Sequence, residues 1–404
     1  MKRLILFFLL AFSHTFITGA EENVYSNKGW SFSFSGGADY LIPANDELKG
    51  MLGSSFFPSW DVRAGYGINP ADAGSYAIDY NFPTIGFGIG YSNLHALKYT
   101  GTSHLNNILD IYSFVERDIV KTRKFSFGYE IQFGLGLSNN KYDPCNNPLN
   151  EIINSKVTFD IGGSPFLKWR PVSQFELSAN LRFKHHSFGK LTYPNSGINE
   201  VVASVSAKYY LESPYEGKAP AITENDFEKG FKFEILAGGG VNRCVEEWDV
   251  YNKMEPDPGR KVSTINAFPK YFLSFISTWR YARKFSSGLG LDLFCSSKDW
   301  ITSLKDCETV LIGPDAVNNH KYSPFSCGIS AIQNFHYRNF AIWGCVGIYL
   351  FNRVGASQAP RHSYQRIGIK YSFPKISGLT LSMCCKTHFF SQAEMMEFGI
   401  GFKI

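Results

Sequence analysis

Phe125, Ser126, Phe127, Gly128, Tyr129, Glu130, Ile131, Gln132, Phe133, Gly134, Leu135, Gly136, Leu137 and Ser138 alternate between large apolar and small or polar side chains without a slip. Successive side chains of a strand point to opposite faces, so this stretch has one apolar face and one polar face. Its length points to a fold. Strands of soluble sheets usually run about 5–6 residues, whereas a tilted membrane crossing needs about 9–11. Upstream, Trp30, Phe32 and Phe34 alternate with Ser31, Ser33 and Ser35. At the other end, Met396, Phe398, Ile400, Phe402 and Ile404 oppose Glu397, Gly399, Gly401 and Lys403.

The same period recurs in about sixteen segments, near 29–41, 59–67, 83–92, 108–117, 124–138, 155–169, 174–187, 199–211, 230–241, 265–281, 284–295, 323–335, 339–350, 363–373, 378–388 and 394–404. Their connections alternate in length. Short turns are expected at 170–172, 281–283, 336–338 and 374–376, and long loops at 139–154, 242–264 and 296–322. Short turns on one side and long loops on the other form the pattern of an outer-membrane barrel, and an even strand count returns both termini to one side. The predicted class is therefore all-β, an antiparallel transmembrane barrel of about 12–16 strands. Segments 175–211 and 379–404 share a layout of strand, His near the top, loop and closing strand, which allows an 8+8 duplication. The polar stretch 212–229 would then join a half at 21–211 to a half at 230–404. Closure as one barrel or two stays open.

Composition agrees with export. Lys2 and Arg3, the apolar run Leu4 to Phe12 and the small residues before Glu21 have the layout of a signal peptide over 1–20, cleaved near Ala20. The net charge of +5 falls to about +3 without Lys2 and Arg3, and no basic run accompanies it, so nucleic acid is not an expected partner. No second apolar run is long enough for a spanning helix. Of the eight cysteines, several sit in strand-like segments, and Cys295 and Cys307 flank a loop across which they could pair. Metal-ligand spacing is missing, and neither a metal nor a cofactor is implied.

One stretch breaks the pattern. Phe175, Leu177, Ala179, Leu181 and Phe183 form a lipid face, and the period carries His185 and Ser187 onto it. On the next strand Val201, Ala203, Val205, Ala207 and Tyr209 bring Asn199 to the same side. His186 and Glu200 point inward by parity. An imidazole near a serine can act as its base, with a third polar group holding the ring's other nitrogen. Polar groups at membrane depth are costly, which favours a function for them. The same positions also suit plain solvation at headgroup level.

The span from His185 to Asn199, HHSFGKLTYPNSGIN, resembles the signature of the outer-membrane lipid A deacylase family (PagL-like, acyloxyacyl hydrolase). Fainter likeness touches 82–88, 142–150, Gln365 to Gly368, and Lys386, Thr387 and His388 with Ala393 and Glu394. The resemblance implies a serine esterase that removes an ester-linked acyl chain from lipid A or lipopolysaccharide in the outer membrane of a Gram-negative bacterium. Ser187 matches the nucleophile, His185 the base and Asn195 a family asparagine near the site. Asn199 stands where the family has an acid, which lowers the expected activity. Phe188 replaces an asparagine that could serve as an oxyanion donor, leaving the Gly189 backbone N–H to compensate. The last strand resembles the signal read by the barrel-assembly machinery, although Ile404 replaces its terminal aromatic. Two other readings stand beside the enzyme: a non-catalytic barrel (pore, adhesin or structural protein) and a soluble β-sandwich.

Overall fold

In the computed structural model, described over residues 23–44, 46–72, 74–97, 103–218, 227–318, 322–354, 361–376, 378–389 and 392–404, the alternating segments close into two separate eight-stranded barrels. The signal peptide expected over 1–20 and its expected cleavage junction lie outside the described residues. A short pair precedes and follows the first barrel: β1 (Asn23–Ser26) runs antiparallel to β10 (Tyr215–Lys218). Barrel one comprises β2 (Gly29–Ile42), β3 (Phe56–Gly67), β4 (Thr84–Ser92), β5 (Ile108–Lys121), β6 (Phe125–Leu137), β7 (Val157–Val172), β8 (Phe175–Ser187) and β9 (Ile198–Tyr210). Barrel two comprises β11 (Gly230–Asn242), β12 (Phe268–Arg280), β13 (Phe285–Ser296), β14 (Phe325–Tyr337), β15 (Phe340–Asn352), β16 (Ser363–Ser372), β17 (Leu379–His388) and β18 (Gln392–Lys403). Antiparallel seams close each ring, with Ser31 opposite Tyr210 in the first and Glu234 opposite Lys403 in the second.

Parity holds through β6. Phe125 is 55% exposed and Leu135 42%, while Ser126 and Gln132 on the other face are 5% and 1% exposed. The exposed apolar rows form the lipid-facing surface of a transmembrane barrel. Inside, charges are stacked in tiers. Lys168 and Lys208 sit 2.5 and 2.8 Å from Glu116; Arg63 and Arg182 share Glu130 and Asp61; Lys184 lies 2.8 Å from Asp110 and 3.0 Å from Glu200. In barrel two Arg366 bridges Asp292 at 3.0 Å and Glu397 at 2.9 Å, and Lys370 meets Glu234 at 2.7 Å. An eight-stranded barrel is only wide enough for side chains to fill, and these ion pairs fill it. Over the mouth of barrel one, loops contribute an apolar cap of Leu94, Leu97, Leu105, Ile152 and Ile153 beneath which Ile198 is buried.

Three expectations need correction. The turn expected at 170–172 is shorter, because β7 runs on to Val172 across a bulge between Trp169 and Val172. The loop expected over 296–322 carries a helix, Lys298–Ile312, started by the Ser297 side chain accepting from the Trp300 N–H. That helix also redirects the cysteine pairing. All eight cysteines are free thiols, and Cys307 turns away from Cys295 into an apolar cluster with Cys244, Phe268, Trp300 and Leu304. Within this cluster the interaction of the two thiols raises the Cys244 pKa and lowers that of Cys307. The more acidic thiol is the better thiolate source. A disulfide-donating oxidant is thus expected to link Cys244 to Cys307; a peptide map yielding Cys295 joined to Cys307 would contradict this.

The barrels touch at both ends. At the end carrying the short turns, Asp79 pairs with Arg283 at 3.0 Å, and the Tyr80 hydroxyl donates to the His336 carbonyl at 2.8 Å. Arg117 completes this lower contact, donating to the Tyr80 carbonyl at 3.1 Å and to the Tyr129 hydroxyl at 3.2 Å. Tyr129, outward by parity, is accordingly buried. The upper contact involves the candidate site.

Candidate active site

Four residues at the top of β8 alternate sides. Lys184 and His186 point into the lumen and are buried, while His185 and Ser187 point outward and are half-buried. The β8–β9 register sets His185 directly opposite Asn199. Side chains so placed on neighbouring antiparallel strands are within reach of each other. His185 Nδ1 and Asn199 Oδ1 are 2.8 Å apart. Because the amide oxygen can only accept, Nδ1 carries the proton and Nε2 is left as a base.

Ser187 is held from the loop that follows. Its Oγ accepts from the Gly189 N–H at 3.0 Å and from Asn195 Nδ2 at 2.9 Å. The same Asn195 amide donates to the Gly189 carbonyl at 2.5 Å, so one side chain fixes both the serine and the turn Gly189–Leu191. With two donors on its lone pairs, the hydroxyl has its own proton to give. Among the described residues no hydrogen bond joins Ser187 to His185, and such contacts often tighten only when substrate is bound. The two residues nevertheless flank one backbone position. At Gly197 (φ +77°) a Cβ would stand 3.0 Å from His185 Cε1 and 3.5 Å from Ser187 Cβ. Glycine is needed there for the conformation and for the space. Hydrogen bonds from the Ser196 and Gly197 N–H groups to the Glu151 and Ile152 carbonyls, 3.2 and 2.9 Å long, lay this loop on the capping loop. Phe188 packs on Phe159, ring centroids 5.4 Å apart, and donates nothing to the serine.

Behind the wall, His186 Nε2 lies 2.9 Å from Asp110 and 3.6 Å from Asp160. These three groups are close enough to share a cation, with ligand atoms within 4.8 Å of one another, but the Lys184 ammonium already lies 2.8 Å from Asp110. His186 and Glu200 thus belong to the luminal ion tier, as parity implies.

Barrel two covers this wall, which no period-2 pattern signals. Met396 is outward by parity on β18 yet only 8% exposed, because Gly189 sits against it; a Cβ at Gly189 (φ +58°) would lie 3.0 Å from Met396 Cγ. Arg243, just beyond β11, donates to the Leu191 carbonyl through Nε at 3.2 Å and Nη2 at 3.0 Å, and also to the Ile265 carbonyl. The Trp248 ring meets Tyr142 and Tyr193 edge-on, at 4.8 and 5.4 Å. Burial and the neighbouring Arg361 of barrel two push the Lys190 ammonium down to about 8.

A lipid-facing barrel wall that presents an oriented imidazole beside a serine with two N–H donors has the parts of an esterase site. Residues 232–404, nearly the whole of barrel two, match the family model described as acyloxyacyl hydrolase, C-terminal domain. No curated protein matches the chain. Among solved structures it is similar to Neisserial surface protein A (14% identity, 47% of this chain and 100% of that one, TM-score 0.30). It is also similar to a mutant Rh. blastica porin (10% identity, 93% of this chain and 99% of that one, TM-score 0.16).

The family match and the serine thus fall on different barrels, and the luminal tiers relate the two. Lys386 and His388 of β17 meet Glu394 of β18 at 3.0 and 2.8 Å, just as Lys184 and His186 of β8 lie 3.0 and 3.7 Å from Glu200 of β9. His388 therefore corresponds to the luminal His186 and not to His185. On this correspondence Thr387, Phe389 and Ala393 occupy the places of His185, Ser187 and Asn199. Barrel two has the scaffold without the reactive side chains.

Proposed function

We propose that barrel one is a serine esterase acting on lipid A or a related outer-leaflet lipid, with barrel two as its non-catalytic neighbour. The observation that carries this reading is the meeting, on one outward wall, of the His185–Asn199 pair and a Ser187 held by two N–H donors. Ser187 Oγ attacks the ester carbonyl while His185 Nε2 takes its proton, and the Gly189 and Asn195 N–H groups turn to the oxyanion. Collapse breaks the ester bond, and His185 returns the proton to the departing sugar hydroxyl. Water then attacks the acyl-enzyme with His185 again as base, releasing a fatty acid. Donors of this kind are worth about 10²–10³ in rate each, so Gly189 and Asn195 can stand in for the asparagine replaced by Phe188. An outward site meets acyl chains in the leaflet without extracting them. The interiors of both barrels are filled by ion pairs, which disfavours the pore reading.

Mass spectrometry of lipid A from cells expressing the protein tests the proposal. Loss of one acyl chain is expected with the wild type and not with Ser187→Ala; identical lipid in both would sink the enzyme reading. Asn199 adds a graded test. Its amide orients the imidazole but cannot offset the imidazolium charge that forms in the transition state. Asn199→Glu is expected to raise the turnover of a chromogenic long-chain ester at least about tenfold, since the reverse exchange in a triad costs about 10⁴. Unchanged or lower turnover in a folded variant would remove Asn199 from the site.

A further inference from the structure

We infer that Arg243 of barrel two is a positioning residue for the Ser187 loop, so that the site of barrel one works only with barrel two docked against it. The inference rests on the proposed esterase reading and extends it to the neighbouring barrel.

The loop 188–197 carries both donors to Ser187 and is held from two sides. On the near side it lies on the capping loop of barrel one. On the far side barrel two supplies the contacts. Arg243 points two of its guanidinium nitrogens at the Leu191 carbonyl and a third at Ile265, so one rigid fork joins the Gly189–Leu191 turn to the 243–267 loop. Asn154 strengthens the same junction, its Nδ2 donating to the Tyr193 carbonyl at 3.0 Å and to the Ser263 carbonyl of barrel two at 2.8 Å. Met396 presses on Gly189 and Trp248 on Tyr193.

Leu191 is two residues from Gly189, whose N–H must reach an oxyanion at hydrogen-bond distance. Donors that drift by about 1 Å lose much of their worth, and misplacement on that scale can cost about 10²-fold. Lysine cannot replace this fork, because a point charge does not bind two carbonyl directions in one plane. Arg243 touches no reacting atom and acts through the loop.

The test uses the full chain in detergent micelles, with a p-nitrophenyl long-chain ester as substrate, and compares Arg243→Ala and Arg243→Lys with the wild type. Expected for both is a fall in kcat of about tenfold or more with KM within about twofold. Millimolar guanidinium should restore part of the loss in Arg243→Ala and none in Arg243→Lys. Amide hydrogen exchange over 188–197 should quicken in both variants and stay unchanged along β6. A folded Arg243→Ala whose kcat stays within twofold of wild type overturns the inference and leaves the esterase reading intact. A loss of kcat without faster exchange in 188–197, or without guanidinium rescue, also overturns it. A wild-type chain with no esterase activity and no labelling of Ser187 by a fluorophosphonate overturns the esterase reading itself, and with it any catalytic role for Arg243.

Discussion

Ser187→Ala is expected to lower ester turnover by about 10³ or more, His185→Ala by a similar factor, and the double variant by no more than either alone. Nucleophile and base act as one unit: without the base the hydroxyl is a poor nucleophile, and without the hydroxyl the base has no proton to take. The residue left active by the two N–H donors sets the floor. Fold should survive these changes, because both side chains lie on the outer wall and the luminal tier of Lys184, His186, Asp110 and Glu200 is untouched. After Ser187→Ala the Asn195 amide still has the Gly189 carbonyl to bond. Thr387→Ala, at the place in barrel two that corresponds to His185, is the control expected to leave turnover unchanged. Retention of more than a tenth of wild-type turnover in Ser187→Ala would exclude Ser187 as nucleophile, and additive losses in the double variant would exclude a shared step.

Arg366→Met should destabilise barrel two by about 3–5 kcal/mol, the usual cost of leaving buried charges without their partner. The two stranded carboxylates are not equally exposed to that cost. Asp292 keeps hydroxyl donors from Ser274, Ser330 and Tyr364 at 2.5, 2.8 and 2.5 Å, whereas among the described residues Glu397 keeps only the Cys384 thiol at 3.2 Å. Most of the penalty should therefore come from Glu397, and Arg366→Met with Glu397→Gln should recover more than half of it. Urea unfolding of the full chain in micelles, followed by tryptophan fluorescence, measures both. A single variant within about 1 kcal/mol of wild type, or a double variant no better than the single, would mean that the luminal ion pairs do not hold the barrel in the way described.

Much of the fold is legible in the residues because a membrane barrel writes a period-2 pattern over each crossing. Every expected strand overlaps an observed one, from Gly29–Ile42 to Gln392–Lys403. Closure is another matter. Whether β9 turns back to β2 or continues the sheet into β11 depends on hydrogen bonds between strands far apart in sequence, and no side-chain pattern marks an edge as closing. Bulges blur the pattern locally, as between Lys386 and Thr387, where Glu394 and Met395 both oppose the inner face. In the site, parity brought His185, Ser187 and Asn199 to one wall, and the structure pairs His185 with Asn199. The roles of Asn195 and Gly189 rested on family resemblance, and both turn out to contact Ser187 Oγ. Arg243, Trp248 and Met396 carried no signal at all: each is ordinary in its own segment and gains meaning only from the other barrel.

Barrel one has eight strands, so the chain leaves β9 at Tyr210 on the side where it entered β2 at Gly29. One strand more or fewer would start β11 from the opposite side and invert the whole second barrel. The 243–267 loop would then open toward the short turns, a membrane's thickness away from Leu191. The dependence of one barrel on its neighbour is thus a matter of arithmetic parity: gain or loss of a strand pair preserves it, and gain or loss of a single strand abolishes it however well the two surfaces match.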